Sequence, residues 1–240
     1  MSRRPNKTKN RNKKRFIGLD NRSGDLIKVN PITPSQQDVF EDFYYGKHLF
    51  LHGVAGTGKT FISLYLALKE LMTNKSCYRE IQIIRSVVPT RDMGFLPGNE
   101  KQKIESYESP YKSIVNELLQ CGTAYETLRR NNLINFSSTS FIRGRTFYDS
   151  IILVDECQNM NFHELDSVIT RIGDNCLLVF CGDFRQTDFK WNDEKRGILD
   201  FMKIIKSMDQ FSFIEFGKED IVRSPLVKSY IVSKLELGIA

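Results

Sequence analysis

The segment Gly53-Val54-Ala55-Gly56-Thr57-Gly58-Lys59-Thr60 fits the pattern G-x-x-x-x-G-K-[ST] without a mismatch, and no other stretch restricts the fold as much. Its glycines let backbone N–H groups turn inward and approach phosphate oxygens closely. A helix that begins at the same place aims the positive end of its dipole at that anion. Lys59 then sets a point charge against the β- and γ-phosphates, and the Thr60 hydroxyl is a ligand for Mg2+. The pattern carries this meaning only between a strand and a helix. Residues 49–51 supply a short apolar strand before it, and an apolar helical run over 59–72 follows. The expected nucleotide-binding residues are Gly53, Val54, Ala55, Gly56, Thr57, Gly58, Lys59, Thr60 and Phe61.

Further strand-like segments fall at residues 81–84, 133–136, 151–154, 177–181 and 211–216. Helical patterns at 111–120, 123–131, 161–172, 196–207 and 225–237 separate most of them. Another helix is expected from Thr33 to about Tyr45: Thr33 can cap, Pro34 suits the first helical position, and Gln36 sits where a capping box places a glutamine. The runs Ile151-Ile152-Leu153-Val154 and Leu177-Leu178-Val179-Phe180 lack polar alternation, as strands buried on both faces of a parallel sheet do. Strands alternating with helices predict a three-layer α/β domain with a mostly parallel sheet. Residues 86–112 carry Pro89, Gly94, Pro97, Gly98 and Pro110 and read as a long functional loop.

The strand at 151–154 runs into Asp155 and Glu156. In open α/β sheets the C-terminal end of a strand faces the ligand. Asp155 is expected to hold Mg2+ through water, and Glu156 to accept the proton of an attacking water. Strand alternation sends the two acids to different sides, which suits different roles. The strand at 177–181 ends in Gly182-Asp183-Phe184-Arg185-Gln186, and a neutral amide such as Gln186 can report the state of a γ-phosphate. The chain has no N-K-x-D motif for guanine, which favours ATP over GTP.

The formal charge of +6 is unevenly spread. Residues 2–15 hold eight of the 35 basic side chains and no acid, and removing those eight leaves 27 basic against 29 acidic residues. A run of like charges with nothing apolar to bury does not fold alone. Residues 1–30 are therefore expected to form a flexible basic arm and linker, and residues 31–240 the domain. The arm is either a solvated tail or a salt-dependent attachment to nucleic-acid phosphates. No apolar run approaches the ~18 residues of a membrane span, and none follows the basic start as in a secretory signal, so no membrane partner and a cytoplasmic location are expected. The five cysteines form no C-x-x-C pair and read as reduced thiols.

In this order the pieces resemble the PhoH-like family of phosphate-starvation-inducible ATPases, itself similar to the nucleotide-binding half of superfamily-one helicases. The resemblance spans roughly residues 30–237. It rests on Thr33-Pro34-Ser35-Gln36, the phosphate loop, Gly94-Phe95-Leu96-Pro97-Gly98, Phe141-Ile142-Arg143-Gly144-Arg145-Thr146, Asp155-Glu156-Cys157-Gln158-Asn159, Thr170-Arg171-Ile172-Gly173, Gly182-Asp183 with Gln186, and Val222-Arg223-Ser224-Pro225-Leu226-Val227. It implies a RecA-like core and Mg2+-dependent ATP hydrolysis. It implies that Gln36 reads adenine, with Gln37 beside it as the alternative, that Arg223 is an arginine finger, and that Gln186 couples the γ-phosphate to motion. Cys157 and Ser224 stand where the family usually has alanine and histidine. Arg143 and Arg145 are candidates for contact with nucleic acid or a neighbouring subunit, against a plain solvated loop.

Helicases that resemble this chain place ATP between two RecA-like domains, and 240 residues hold one. Arg223 is then expected to serve its own site or a neighbour's, and a homo-oligomeric ring, a hexamer by resemblance, is the expected assembly. Lys59, Glu156, Gln186 and Arg223 form the expected catalytic set, and Thr60 with Asp155 the metal set. The leading functional expectation is an ATP-driven remodeller of RNA or single-stranded DNA. The alternatives are a P-loop kinase for a small molecule and a nucleic-acid binder whose ATP is structural.

Overall fold

The computed structural model describes residues 26–73, 75–86, 100–184 and 192–238, with backbone alone at 100–103 and 192–196. The basic run at 2–15, Gly94–Gly98 and Gln186 lie outside the described residues. The elements in chain order are α1 (Pro34–Tyr44), β1 (His48–Gly53), α2 (Lys59–Leu71), β2 (Glu80–Arg85), α3 (Glu100–Leu118), α4 (Ala124–Arg130), β3 (Ile134–Ser138), β4 (Ser150–Asp155), α5 (Phe162–Ile169), β5 (Leu177–Gly182), α6 (Asn192–Lys206), β6 (Phe211–Phe216) and α7 (Pro225–Glu236). The six strands form one sheet in the order β3-β2-β4-β5-β1-β6. Every neighbouring pair is parallel.

All six residues of β4 and of β5 are buried, because successive side chains enter opposite apolar layers. Ile151 and Leu153 join Val39, Leu64, Leu68, Tyr111 and Tyr125 in the layer formed by α1 to α4. Ile152 and Val154 join Leu165, Val168, Phe201 and Ile205 in the layer formed by α5 and α6. The absence of polar alternation thus has its expected cause. The result is a three-layer α/β domain with the RecA-like layout and a sheet that is parallel throughout.

Helix α3 departs from expectation. Residues 100–110 are helical although Pro110 marked them as loop, and Pro110 sits inside the helix. Proline in a helix interior costs about 3 kcal/mol. Just beyond it Tyr111, Val115, Leu118 and Leu119 are fully buried. Each contributes roughly 1.5–3 kcal/mol on burial, so tertiary packing outweighs the local penalty. Glu108 adds a tie to α4, accepting from the Tyr125 hydroxyl at 2.6 Å and from Arg129. The chain also joins the domain early: Leu26, Ile27 and Val29 pack on the core, and the Ile27 amide donates to the Leu118 carbonyl at 2.9 Å.

Candidate nucleotide site

Because all strands run the same way, their C-terminal ends share one edge, and a cleft of about 820 Å³ opens there. Its floor is the loop between β1 and α2. Gly53 has φ +124°, and a Cβ there would overlap the Phe216 carbonyl oxygen of β6, so the loop can leave the sheet here only as glycine. The Val54 amide donates to that same oxygen at 3.0 Å. Thr57 is buried, and its hydroxyl donates to the Val54 carbonyl at 3.0 Å. Helix α2 starts after Gly58, which holds the left-handed conformation at the N-cap.

Lys59 Nζ donates to the carbonyls of Gly53 and Val54 at 2.9 and 2.8 Å and to Thr57 Oγ1 at 3.3 Å. Burial lowers its pKa, while Cys181, Asp183 and Asp155 pull the other way. The ammonium is thus held next to the loop in a setting where an additional negative group favours its charge. The Thr60 hydroxyl donates to Asp155 Oδ1 at 2.9 Å, joining the two metal candidates directly. Asp155 Oδ2 accepts from the Tyr111 hydroxyl at 2.8 Å. Burial and then Glu156 push the Asp155 pKa up, and the hydrogen bonds from Tyr111 and Thr60 with the Arg85 charge oppose this. Burial works against the Arg85 charge as well, yet Tyr111, Glu156 and Asp155 keep its pKa above the usual range.

Glu156 does not simply continue the alternation of β4. Its φ of +52° turns the chain left-handed, so Asp155 and Glu156 line one cleft together instead of parting to opposite sides. Gln158, absent from the expected site residues, joins them. Its amide nitrogen donates to Glu156 Oε2 at 2.6 Å, and its oxygen accepts from the Asp183 amide at 3.0 Å. One side chain thereby links the exits of β4 and β5. The hints in sequence were its position two residues after Glu156 and its place in the segment Asp155–Asn159 that carries the family resemblance.

The structure separates the two glutamines. Gln36 is buried and lines the cleft, donating to the Thr57 carbonyl at 3.0 Å and accepting from the Ile32 amide at 2.8 Å. Gln37 lies at the surface against Glu41. Gln36 also serves the helix start: its amide donates to Thr33 Oγ1 at 3.3 Å, but its side chain reaches Ile32 rather than closing the box on Thr33. Arg223 is held on its own chain's phosphate loop. The Val222 amide donates to the Gly56 carbonyl at 3.1 Å, and a Cβ placed on Gly56 would lie 3.0 Å from Arg223 Cγ. Arg143 and Arg145 do not line the cleft. They flank Gly144 on an exposed turn, with the Arg145 guanidinium 5.6 Å from the Phe147 ring centre.

Among the described residues no three His, Cys, Asp or Glu side chains converge on a metal position. A Thr60 hydroxyl bonded to one carboxylate is the donor set that suits Mg2+, which takes few protein oxygens and completes its shell with water and phosphate. No described helix is long and apolar enough to cross a membrane.

A parallel three-layer sheet with this loop at the β1–α2 junction and a carboxylate at the β4 exit defines a P-loop NTPase. The PhoH-like protein family matches residues 28–234, and the chain belongs to that family. A PhoH-like protein of Synechocystis is 32% identical over 210 residues, covering 88% of this chain and 62% of the relative. Protein PhoH of Escherichia coli K12 is 30% identical over 211 residues, with 88% and 59% covered. The chain thus spans about three-fifths of the length of these relatives. Among solved structures, the large terminase of a thermophilic bacteriophage is similar with a TM-score of 0.48 at 12% identity, covering 84% of this chain and 50% of that one. The Pif1 helicase of Candida albicans is similar with a TM-score of 0.36 at 16% identity, covering 80% and 41%.

Proposed function

We propose that the protein is a Mg2+-dependent ATPase that couples turnover to binding or remodelling of RNA or single-stranded DNA. The observation that carries the hydrolytic part is the convergence of Lys59, Thr60, Asp155 and Glu156 on one cleft. Thr60 and Asp155 would hold Mg2+, which neutralises charge on the β- and γ-phosphates. Lys59 binds the same oxygens, Glu156 orients and deprotonates the attacking water, and Gln158 fixes the Glu156 carboxylate. Arg223 stabilises charge developing on the transferred group. Its seat on its own phosphate loop supports action within one chain. Gln36 keeps one N–H and one oxygen lone pair beyond the bonds described, which suits pairing with the adenine edge. Gln186 remains the proposed γ-phosphate reporter.

The polymer reading rests on the basic run at 2–15 and on Arg143 and Arg145, neither of which forms an ion pair among the described residues. Assembly into a ring, as a hexamer, is supported by α7. That helix follows Arg223 and exposes Leu226 (81%), Tyr230 (67%) and, just past its end, Leu237 (73%). The residues before Leu26 act as the arm and the chain from Leu26 on as the ATPase domain, in the cytoplasm; the boundary lies earlier than residue 31 because Leu26, Ile27 and Val29 pack on the core. ATP turnover with and without RNA or single-stranded DNA, read beside particle mass from light scattering, tests this. Polymer stimulation is expected, and Glu156→Gln should retain ATP binding while turnover falls by about 100-fold or more. Full turnover in that variant would remove Glu156 from the mechanism.

A further inference from the structure

We infer that Tyr111 is the positioning residue for the metal-holding carboxylate, and that helix α3 is thereby wired to the nucleotide site. This rests on the nucleotide reading above. Asp155 is 5% exposed, and each of its oxygens is occupied by a different hydroxyl: Oδ1 by Thr60 at 2.9 Å and Oδ2 by Tyr111 at 2.8 Å. Thr60 can offer a lone pair to Mg2+ only if its proton points elsewhere, and Asp155 receives that proton. The carboxylate must then keep one orientation. A single hydroxyl leaves it free to swing about its Cβ–Cγ bond; a second, anchored one on the opposite oxygen does not. Tyr111 is that anchor. It is 1% exposed, its ring packs 5.7 Å from that of Phe136, and its hydroxyl also engages the Arg85 guanidinium.

Tyr111 belongs to none of the segments on which the family resemblance was built, and it follows Pro110 in the cleft wall. The same wall contributes Ile114 and Glu117. The Leu118 carbonyl of α3 also holds the incoming chain at Ile27. Displacement of α3 would therefore move one of the two hydroxyls that orient Asp155, so the wall of the cleft and its metal position shift together.

The molecule contains its own control. Tyr125 is equally buried, and its hydroxyl donates to a buried carboxylate, Glu108, at 2.6 Å. Neither residue lines the cleft. Affinity for a fluorescent ADP analogue should be measured in excess Mg2+ and again in chelator for the wild type, Tyr111→Phe and Tyr125→Phe. Thermal unfolding in chelator reports the fold of each. In Tyr111→Phe the Mg2+ concentration needed for half-maximal enhancement of binding should rise by about 10- to 100-fold, with chelator affinity unchanged. Tyr125→Phe should lose stability and keep the wild-type Mg2+ response. A wild-type response in Tyr111→Phe, or equal weakening with and without metal, overturns the assignment alone. A wild-type chain whose nucleotide affinity ignores Mg2+ overturns the metal position and the assignment with it, and a wild-type chain that binds no nucleotide at all overturns the nucleotide reading.

Discussion

The phosphate loop and the turn at Arg143-Gly144-Arg145 use the same vocabulary, glycine in a positive-φ conformation beside a cation, and commit it in opposite ways. At Gly53 the neighbouring strand comes so close that a Cβ would strike the Phe216 carbonyl; at Gly144, φ +79°, a Cβ would meet nothing within 4 Å. The Lys59 ammonium is half-buried and held against three oxygens, whereas Arg143 and Arg145 are exposed. The first arrangement fixes donors before a ligand arrives, which favours a small, defined anion. The second leaves both guanidinium groups exposed, Arg145 beside the Phe147 ring, so any ligand there would have to order them on contact.

The sharpest way to break the comparison is Gly53→Ala. Collision with backbone cannot relax by a rotamer change, so about 3 kcal/mol of stability should be lost, measured by urea unfolding. A neutral result would mean the loop is not seated on β6 as described. Next in size, Lys59→Ala should weaken ATP binding by about 10- to 100-fold, the worth of a charged hydrogen bond. Calorimetric titration would check it, and undiminished affinity would strip the loop of its role. The smallest effect belongs to the exposed turn. Arg143→Ala and Arg145→Ala should each change stability by less than about 0.5 kcal/mol. Each should reduce the slope of log affinity for RNA or single-stranded DNA against log salt by about 1. Unchanged slopes would return the turn to the status of a solvated loop.

Much of the site was legible in the order of residues. The phosphate loop joins a strand that ends in Gly53 to a helix that starts at Lys59, because glycine spacing is a local steric requirement. Asp155 was found at a strand exit because four apolar residues in a row, Ile151–Val154, announce a central strand, and its polar end has one edge to face. The choice between Gln36 and Gln37 was beyond sequence, since helical rotation decides which of two neighbours faces inward. Pro110 misled because its local cost was visible and the burial of Tyr111 was not.

What the sequence determined alone was the chemistry that follows from near neighbours: a glycine-lined anion loop, buried parallel strands, and acids at a strand exit. These depend on spacings of a few residues, within which backbone geometry leaves little choice. What the tertiary structure decided was every pairing across distance: Tyr111 with Asp155, Gln158 with Asp183, and Arg223 with the loop at Gly56. Such pairs lie 25 to 167 positions apart, a span no local periodicity encodes. They form only when the packing of whole helices against the sheet brings their ends to the same edge.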